Sequence, residues 1–172
     1  MSRILQIMAS PWTRLVLVGM LVLSLQTTLF SNLRPFDTSI QVMGIFVGAI
    51  GVMHGMQAGA IAGLVCGLMY DSVLATPLGL GALVLGIVGV TAAGLLAPFR
   101  ESTTWMRAGA AAIAAGVGEI AWPLMSAVVG LDGWLTSRLF VAAATSFVGG
   151  LVFAWPLLPV AAWTLSERGA VD

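Results

Sequence analysis

Two carboxylates are set apart from the other charges of the chain by their apolar surroundings. Asp71 ends one long apolar stretch, and Glu119 lies near the middle of another. A charged residue at the centre of a membrane helix costs about 2.5–3.5 kcal/mol on insertion scales. A carboxyl group there faces the protein interior or a wet cavity, or it is protonated. Both positions demand a partner, which makes them candidate sites.

Asp71 is predicted to lie at the C-terminus of a helix, where a carboxylate meets the negative end of the helix dipole. Its partner would be either the backbone N–H groups at the start of the next helix or an arginine such as Arg34 or Arg138. A solvated loop aspartate is the third interpretation. Thr76 and Pro77 predict the start of that next helix, with the threonine as the cap and the proline at the first helical position.

Glu119 is followed four residues later by Pro123. Proline has no N–H group, so the carbonyl of Glu119 loses its helical hydrogen bond. One turn would then offer a carboxyl group and a free carbonyl, and we expect a kink there. This intramembrane polar site could bind a ligand, a proton or a polar residue of a partner. Alternatively, the carboxyl group is structural and bonds a Ser or Thr of a neighbouring helix.

Enzyme chemistry has little support in the sequence. A metal site needs several ligands, and the chain has a single histidine, His54, which we place with Gln57 in a hydrated turn. Ser146 has no histidine after it to act as a base. Paired carboxylates and a P-loop are absent. We therefore expect no catalytic activity, no metal and no cofactor.

A glycine repeat precedes Asp71. Gly59, Gly63 and Gly67 are spaced four residues apart, so they share one face of a helix. Small residues let helix backbones approach closely in lipid. The groove along this face would serve either internal packing of the bundle or docking of a partner's helix. Gly79, just after Pro77, allows a similarly close crossing at the start of the following helix.

The composition identifies the class of protein. Of 172 residues, 7 are basic and 7 acidic, so that 8% are charged, compared with about 25% in soluble domains. So few charges could not cover the surface of a soluble globule. Soluble enzymes, disordered chains and nucleic-acid-binding proteins are excluded. The chain is expected to be an integral membrane protein.

The charge-free stretches predict an all-α bundle of six transmembrane helices in a single domain, residues 1–172. The spans lie at about 14–31, 39–54, 57–71, 77–97, 106–130 and 138–158. Six spans place five arginines on the side of the termini (Arg3, Arg14, Arg100, Arg107, Arg168) and two on the other (Arg34, Arg138). By the positive-inside rule, both termini are cytoplasmic.

Aromatic residues agree with these spans. At the inner interface we place Trp12, Phe99, Trp105 and Trp163, and at the outer one Phe30, Phe36, Tyr70 and Trp134. Amphipathic rings prefer these two depths.

The turn after Asp71 resembles a known signature. The run G-L-x-x-D-x-x-x-x-x-P-L-G-x-x-A-L is similar to that of the rod shape-determining protein MreD family. It is formed here by Gly67, Leu68, Asp71, Pro77, Leu78, Gly79, Ala82 and Leu83. The resemblance extends over Gly51 to Leu96, and the chain length, the six spans and Gln26 are also similar.

The resemblance implies a non-enzymatic scaffold or regulatory subunit of the bacterial cell-elongation machinery, which controls rod shape and peptidoglycan synthesis. Such a subunit lies in the inner membrane and binds the bitopic protein MreC, beside MreB and the peptidoglycan synthases. The family's fold is similar to the S-components of vitamin transporters. The alternative function is therefore a small-molecule-binding transporter subunit, with Glu119 lining a cavity open to the outside.

Overall fold

The computed structural model describes residues 10–28, 41–74, 77–99, 101–128, 130 and 139–166. This part of the chain contains six α-helices: α1 (Pro11–Thr28), α2 (Val42–His54), α3 (Met56–Leu74), α4 (Leu80–Leu96), α5 (Thr104–Val128) and α6 (Leu139–Leu165). The prediction of an all-α chain is confirmed for the described residues. The predicted break between the second and third spans is also found, because Gly55, with φ at +90°, separates α2 from α3.

Three helices are long and apolar enough to cross a membrane: α3 through its Met56–Val73 segment, α5 and α6. Helices α2 and α4 are apolar but have only 13 and 17 residues. At 1.5 Å per residue they are roughly 20 and 26 Å long, less than the hydrocarbon thickness of about 30 Å.

Two helix boundaries differ from the sequence prediction. Helix α4 begins at Leu80, so Pro77 lies before the helix and not at its first position. Helix α6 continues to Leu165, beyond the predicted end at residue 158, and includes Pro156 and Pro159. Each internal proline removes one backbone hydrogen bond. Helix α6 nevertheless continues past both prolines, and side chains of α1 and α2 bond carbonyls in its final turns.

Helix α2 is the centre of the bundle. It contacts each of the other five helices, and every residue from Val42 to Gly51 is buried. Phe46, Met43 and Ile45 are among the largest fully buried side chains of the described chain. A helix that is apolar on all sides belongs in a core. Helix α2 therefore has little lipid-facing surface, and the longer helices enclose it.

Helices α3 and α4 cross in backbone contact. A Cβ atom at Gly59 would lie 2.6 Å from the carbonyl oxygen of Gly89, and one at Gly63 would lie 2.6 Å from the Cα atom of Gly86. At Gly67 it would overlap Ala82. Of the two interpretations of this glycine face, the contacts show internal packing, because α4 occupies the face within the same chain.

Exchanging Gly63 for alanine should test this crossing. We expect Gly63→Ala to destabilise the fold by roughly 1–3 kcal/mol, the usual cost of overpacking, because backbone atoms of α4 must move. Gly86→Ala is the matched control, since a Cβ there meets nothing closer than 3.9 Å. Equilibrium unfolding in mild detergent measures both variants. Equal stabilities would contradict the crossing.

Candidate functional site

The carboxylate of Asp71 lies against the start of α4. Although it belongs to α3, only 2% of the residue is exposed. Its Oδ2 accepts hydrogen bonds from the backbone N–H groups of Gly79 at 2.9 Å and Gly81 at 3.1 Å, and its Oδ1 accepts from Gly81 at 2.9 Å. A longer bond of 3.4 Å comes from Ala82. Asp71 therefore caps a helix that follows it in sequence.

Three glycines make this cap possible. Gly79 adopts a left-handed conformation with φ at +101°, which turns the chain into α4. A Cβ atom at Gly81 would collide with Oδ1 of Asp71. Gly67, one turn before Asp71, removes the other obstacle, because its missing side chain lets Ala82 approach α3. The carboxylate and these glycines form one structural unit, which we call the Asp71 cap.

The structure shows one of the partners that the sequence predicted for Asp71. The backbone N–H groups of α4 bind the carboxylate, and a solvated loop aspartate is the wrong interpretation. Arg34, Arg138 and Thr76 lie outside the described residues. The first N–H groups of a helix lack partners within the helix and carry partial positive charge. A buried carboxylate placed there accepts hydrogen bonds from these N–H groups and balances their partial positive charge.

Gln26 provides a second cap of the same kind. Its side chain is buried, and its Oε1 accepts a hydrogen bond of 2.8 Å from the backbone N–H of Met43, in the first turn of α2. Gln26 was noted in the sequence only as part of the family resemblance. Its position late in an apolar span is the signal that could have predicted the cap, because a buried side-chain amide needs a hydrogen-bond partner.

Arg14 binds the far end of the chain. This residue is 5% exposed, and its guanidinium donates hydrogen bonds to the backbone carbonyls of Trp163 at 2.8 Å and Ser166 at 2.6 Å. It also lies 5.2 Å from the ring centre of Trp163. A cation at a helix C-terminus satisfies free carbonyls and the dipole together. Sequence reasoning treated Arg14 as a topology marker and missed this contact.

His54 lies near the same end of α6. Its Nε2 is 3.0 Å from the carbonyl oxygen of Ala161. His54 ends α2 and is partly exposed, and the exposed Gln57 lies in the first turn of α3, so the two predicted turn residues lie on either side of Gly55. These contacts define the two ends of the bundle. The Arg14 end holds the start of α1 and the end of α6, and the Asp71 end holds the Asp71 cap.

Glu119 is bonded to the neighbouring helix. The hydroxyl group of Ser146, on α6 and fully buried, donates a hydrogen bond of 2.8 Å to Oε1 of Glu119. This is the structural interpretation offered by the sequence. Helix α5 continues through Pro123 as one element of 25 residues.

Tyr70 precedes Asp71 in α3. Its ring packs edge to face on Trp122, with 5.5 Å between the centres. Tyr70, Trp122, Gln26 and Gln41 are among the residues that line a narrow space. Oε1 of Gln41 is buried and has no hydrogen-bond partner among the described residues.

This space limits what the Asp71 end can bind. Small-molecule pockets usually measure about 300–1,000 Å³, whereas the cavity volume of this space is about 0 Å³, so a vitamin-sized ligand does not fit there. Groups of three or more His, Cys, Asp or Glu that could hold a metal are not found in the described part of the chain. The arrangement joins helices through polar contacts.

Comparison of the chain with protein-family models, with curated proteins and with solved structures finds no match.

Replacing Asp71 should loosen the start of α4. We expect Asp71→Ala to cost about 1–3 kcal/mol, because backbone donors are left buried without acceptors. Asp71→Asn keeps one acceptor oxygen and should cost less. Equilibrium unfolding gives the cost, and hydrogen exchange at residues 79–82 locates it. The control is Ser72→Ala, since that exposed hydroxyl bonds only Met69 in its own helix. If Asp71→Ala behaved like this control, the cap would make no contribution.

The bond between Ser146 and Glu119 can be tested against the adjacent hydroxyl group. Ser146→Ala leaves the carboxyl of Glu119 without its donor, so we expect a loss of roughly 1–3 kcal/mol in unfolding free energy. Thr145→Ala is the control, because Thr145 bonds the carbonyl of Val141 within α6. Unfolding free energies that are equal for the two variants would show that the bond is dispensable.

Proposed function

We propose that the protein is a non-enzymatic scaffold subunit of the bacterial cell-elongation complex that binds the single-span protein MreC in the inner membrane. The Asp71 cap is the observation that carries the proposal. The residues that resemble the MreD signature have a shared physical role, because Gly67, Asp71, Gly79 and Ala82 build the cap. MreB and the peptidoglycan synthases are the further partners of such a complex.

The remaining signature residues point away from the core. Leu68 and Leu83 are half exposed, and Leu78 is 79% exposed. Internal packing gives no reason for these leucines, whereas a surface shared with another membrane helix does. They lie on α3, on α4 and in the turn between them, beside the glycine crossing.

A groove on this surface is suited to a partner's helix. Its lining residues come from α3 and α4: Ala60, Leu64, Leu83, Gly86, Ile87, Val90 and Thr91. Its volume is about 330 Å³. Gly86 lies in the groove, and a Cβ atom there would meet nothing closer than 3.9 Å. Small residues between larger apolar ones permit close helix contact in lipid. We assign this groove to MreC, because it includes a signature leucine.

The proposal includes the topology. All six helices cross the inner membrane, with α2 and α4 shielded by longer neighbours, and both termini are cytoplasmic. The Arg14 end is then the cytoplasmic end. Trp12, Phe99, Trp105 and Trp163 are all about half exposed or more, and they belong to the helix ends that meet there. Exposed tryptophans at one level are typical of a membrane interface.

Co-purification with MreC tests the proposal. The two proteins are expressed together and extracted in a mild detergent, and the recovered ratio is measured for the wild type, Gly86→Leu and Gly109→Leu. Gly86→Leu puts a bulky side chain into the groove, so we expect binding to fall about tenfold, equivalent to roughly 1.4 kcal/mol. Gly109→Leu is the control, because a Cβ atom at Gly109 would meet nothing within 4 Å and the residue lies on α5.

The outcomes separate two claims. If the wild type did not retain MreC, the proposed function would be wrong. If Gly86→Leu retained MreC as the wild type does, only the groove would be wrong. A small molecule that stays bound through purification, detected by mass spectrometry, would favour the transporter alternative instead.

A further inference from the structure

Arg107 has few acceptors within the chain. Its Nε donates to the hydroxyl oxygen of Ser102 at 2.9 Å, and its Nη1 lies 3.6 Å from the sulfur of Met53. A guanidinium has five N–H donors, and a thioether is a weak acceptor. Within the described residues, no carboxylate pairs with this side chain. Arg107 is partly exposed, so the remaining donors are accessible from outside.

Aromatic neighbours give the depth of Arg107 relative to the bilayer. Trp105, two residues earlier, is 69% exposed, and its ring meets Trp155 edge to face at 4.9 Å. Phe99 is also more than half exposed. Large aromatic rings on the outer surface of a membrane protein lie at the level of the lipid headgroups. Arg107 therefore lies where the phosphates of a bilayer lie.

Among the described residues, the other ionisable groups at the Arg14 end make contacts of their own or form no ion pair with Arg107. Arg14 is buried and bonded to the end of α6, and His54 is bonded to Ala161. Glu101 is exposed and makes no ion pair with Arg107. Arg107 is thus an accessible cation at this end whose charge lacks a counter-charge in the described chain.

We propose that Arg107 binds the headgroup phosphate of an anionic phospholipid in the leaflet at the Arg14 end. The planar guanidinium matches a phosphate in a two-bond arrangement, which a lysine cannot reproduce. Ser102 and Met53 hold the side chain in place, so less rotamer freedom is lost when the lipid binds. The inference requires that the helices cross a bilayer, and it does not depend on MreC.

Lipid titration in nanodiscs tests this site. The protein is placed in phosphatidylcholine discs with an increasing share of phosphatidylglycerol, and bound lipid is counted by native mass spectrometry. We expect Arg107→Gln to weaken the preference for phosphatidylglycerol about fivefold, the factor that corresponds to roughly 1 kcal/mol per basic residue. Arg107→Lys should be intermediate. Glu101→Gln is the control and should keep the full preference.

Two results would overturn the proposal. The first is equal preference for phosphatidylglycerol in wild type and Arg107→Gln, which would mean that the arginine only reaches into water. The second is loss of bound phosphatidylglycerol when inorganic phosphate is added at millimolar concentration, which would identify a soluble anion as the ligand. Melting in pure phosphatidylcholine checks folding. If Arg107→Gln unfolds in these discs, the preference for phosphatidylglycerol is measured with Arg107→Lys instead. A preference equal to that of the wild type would contradict the proposed two-bond contact of the guanidinium.

Discussion

The structure depends on one requirement: a helix that ends inside an apolar environment must find partners for its free backbone groups. The backbone groups at such a buried end are shielded from water, and few polar side chains are present. Asp71 serves the start of α4, Gln26 the start of α2, and Arg14 the end of α6. Each of these side chains comes from a different helix than the one it serves. The same hydrogen bonds therefore cap the helices and hold neighbouring helices together in this fold.

The glycines and the caps depend on each other. The carboxylate of Asp71 accepts short hydrogen bonds from α4 only if the backbones of α3 and α4 come close together. Gly67 and Gly81 permit this approach, because they lack the side chains that would prevent it. The caps in turn fix the register of the crossing, since small residues alone would also permit a neighbouring register. The glycine faces let α3 and α4 approach closely, and the buried polar groups fix the position of one helix relative to the other.

Periodicity and composition predicted the helices, and they offered the observed partners of Asp71 and Glu119 only among alternatives. The apolar stretches gave the all-α class, and the spacing of Gly59, Gly63 and Gly67 gave their shared face. Asp71 and Glu119 stood out because they are acids in apolar surroundings. Arg14 resembled an ordinary topology signal, since its acceptors lie about 150 residues away in sequence. The start of α4 was misplaced because local capping rules favoured Pro77, whereas a distant carboxylate performs the capping.

The enclosure of α2 has a consequence for biogenesis. Among the described helices α2 is the second in chain order, yet most of the residues that cover it belong to α3, α4, α5 and α6. Its final surroundings do not exist until α6 has been synthesised. During most of translation the nascent chain therefore carries a short, apolar and still uncovered segment. Long-range contacts of this kind make assembly of the bundle late and concerted, with α6 completing the core.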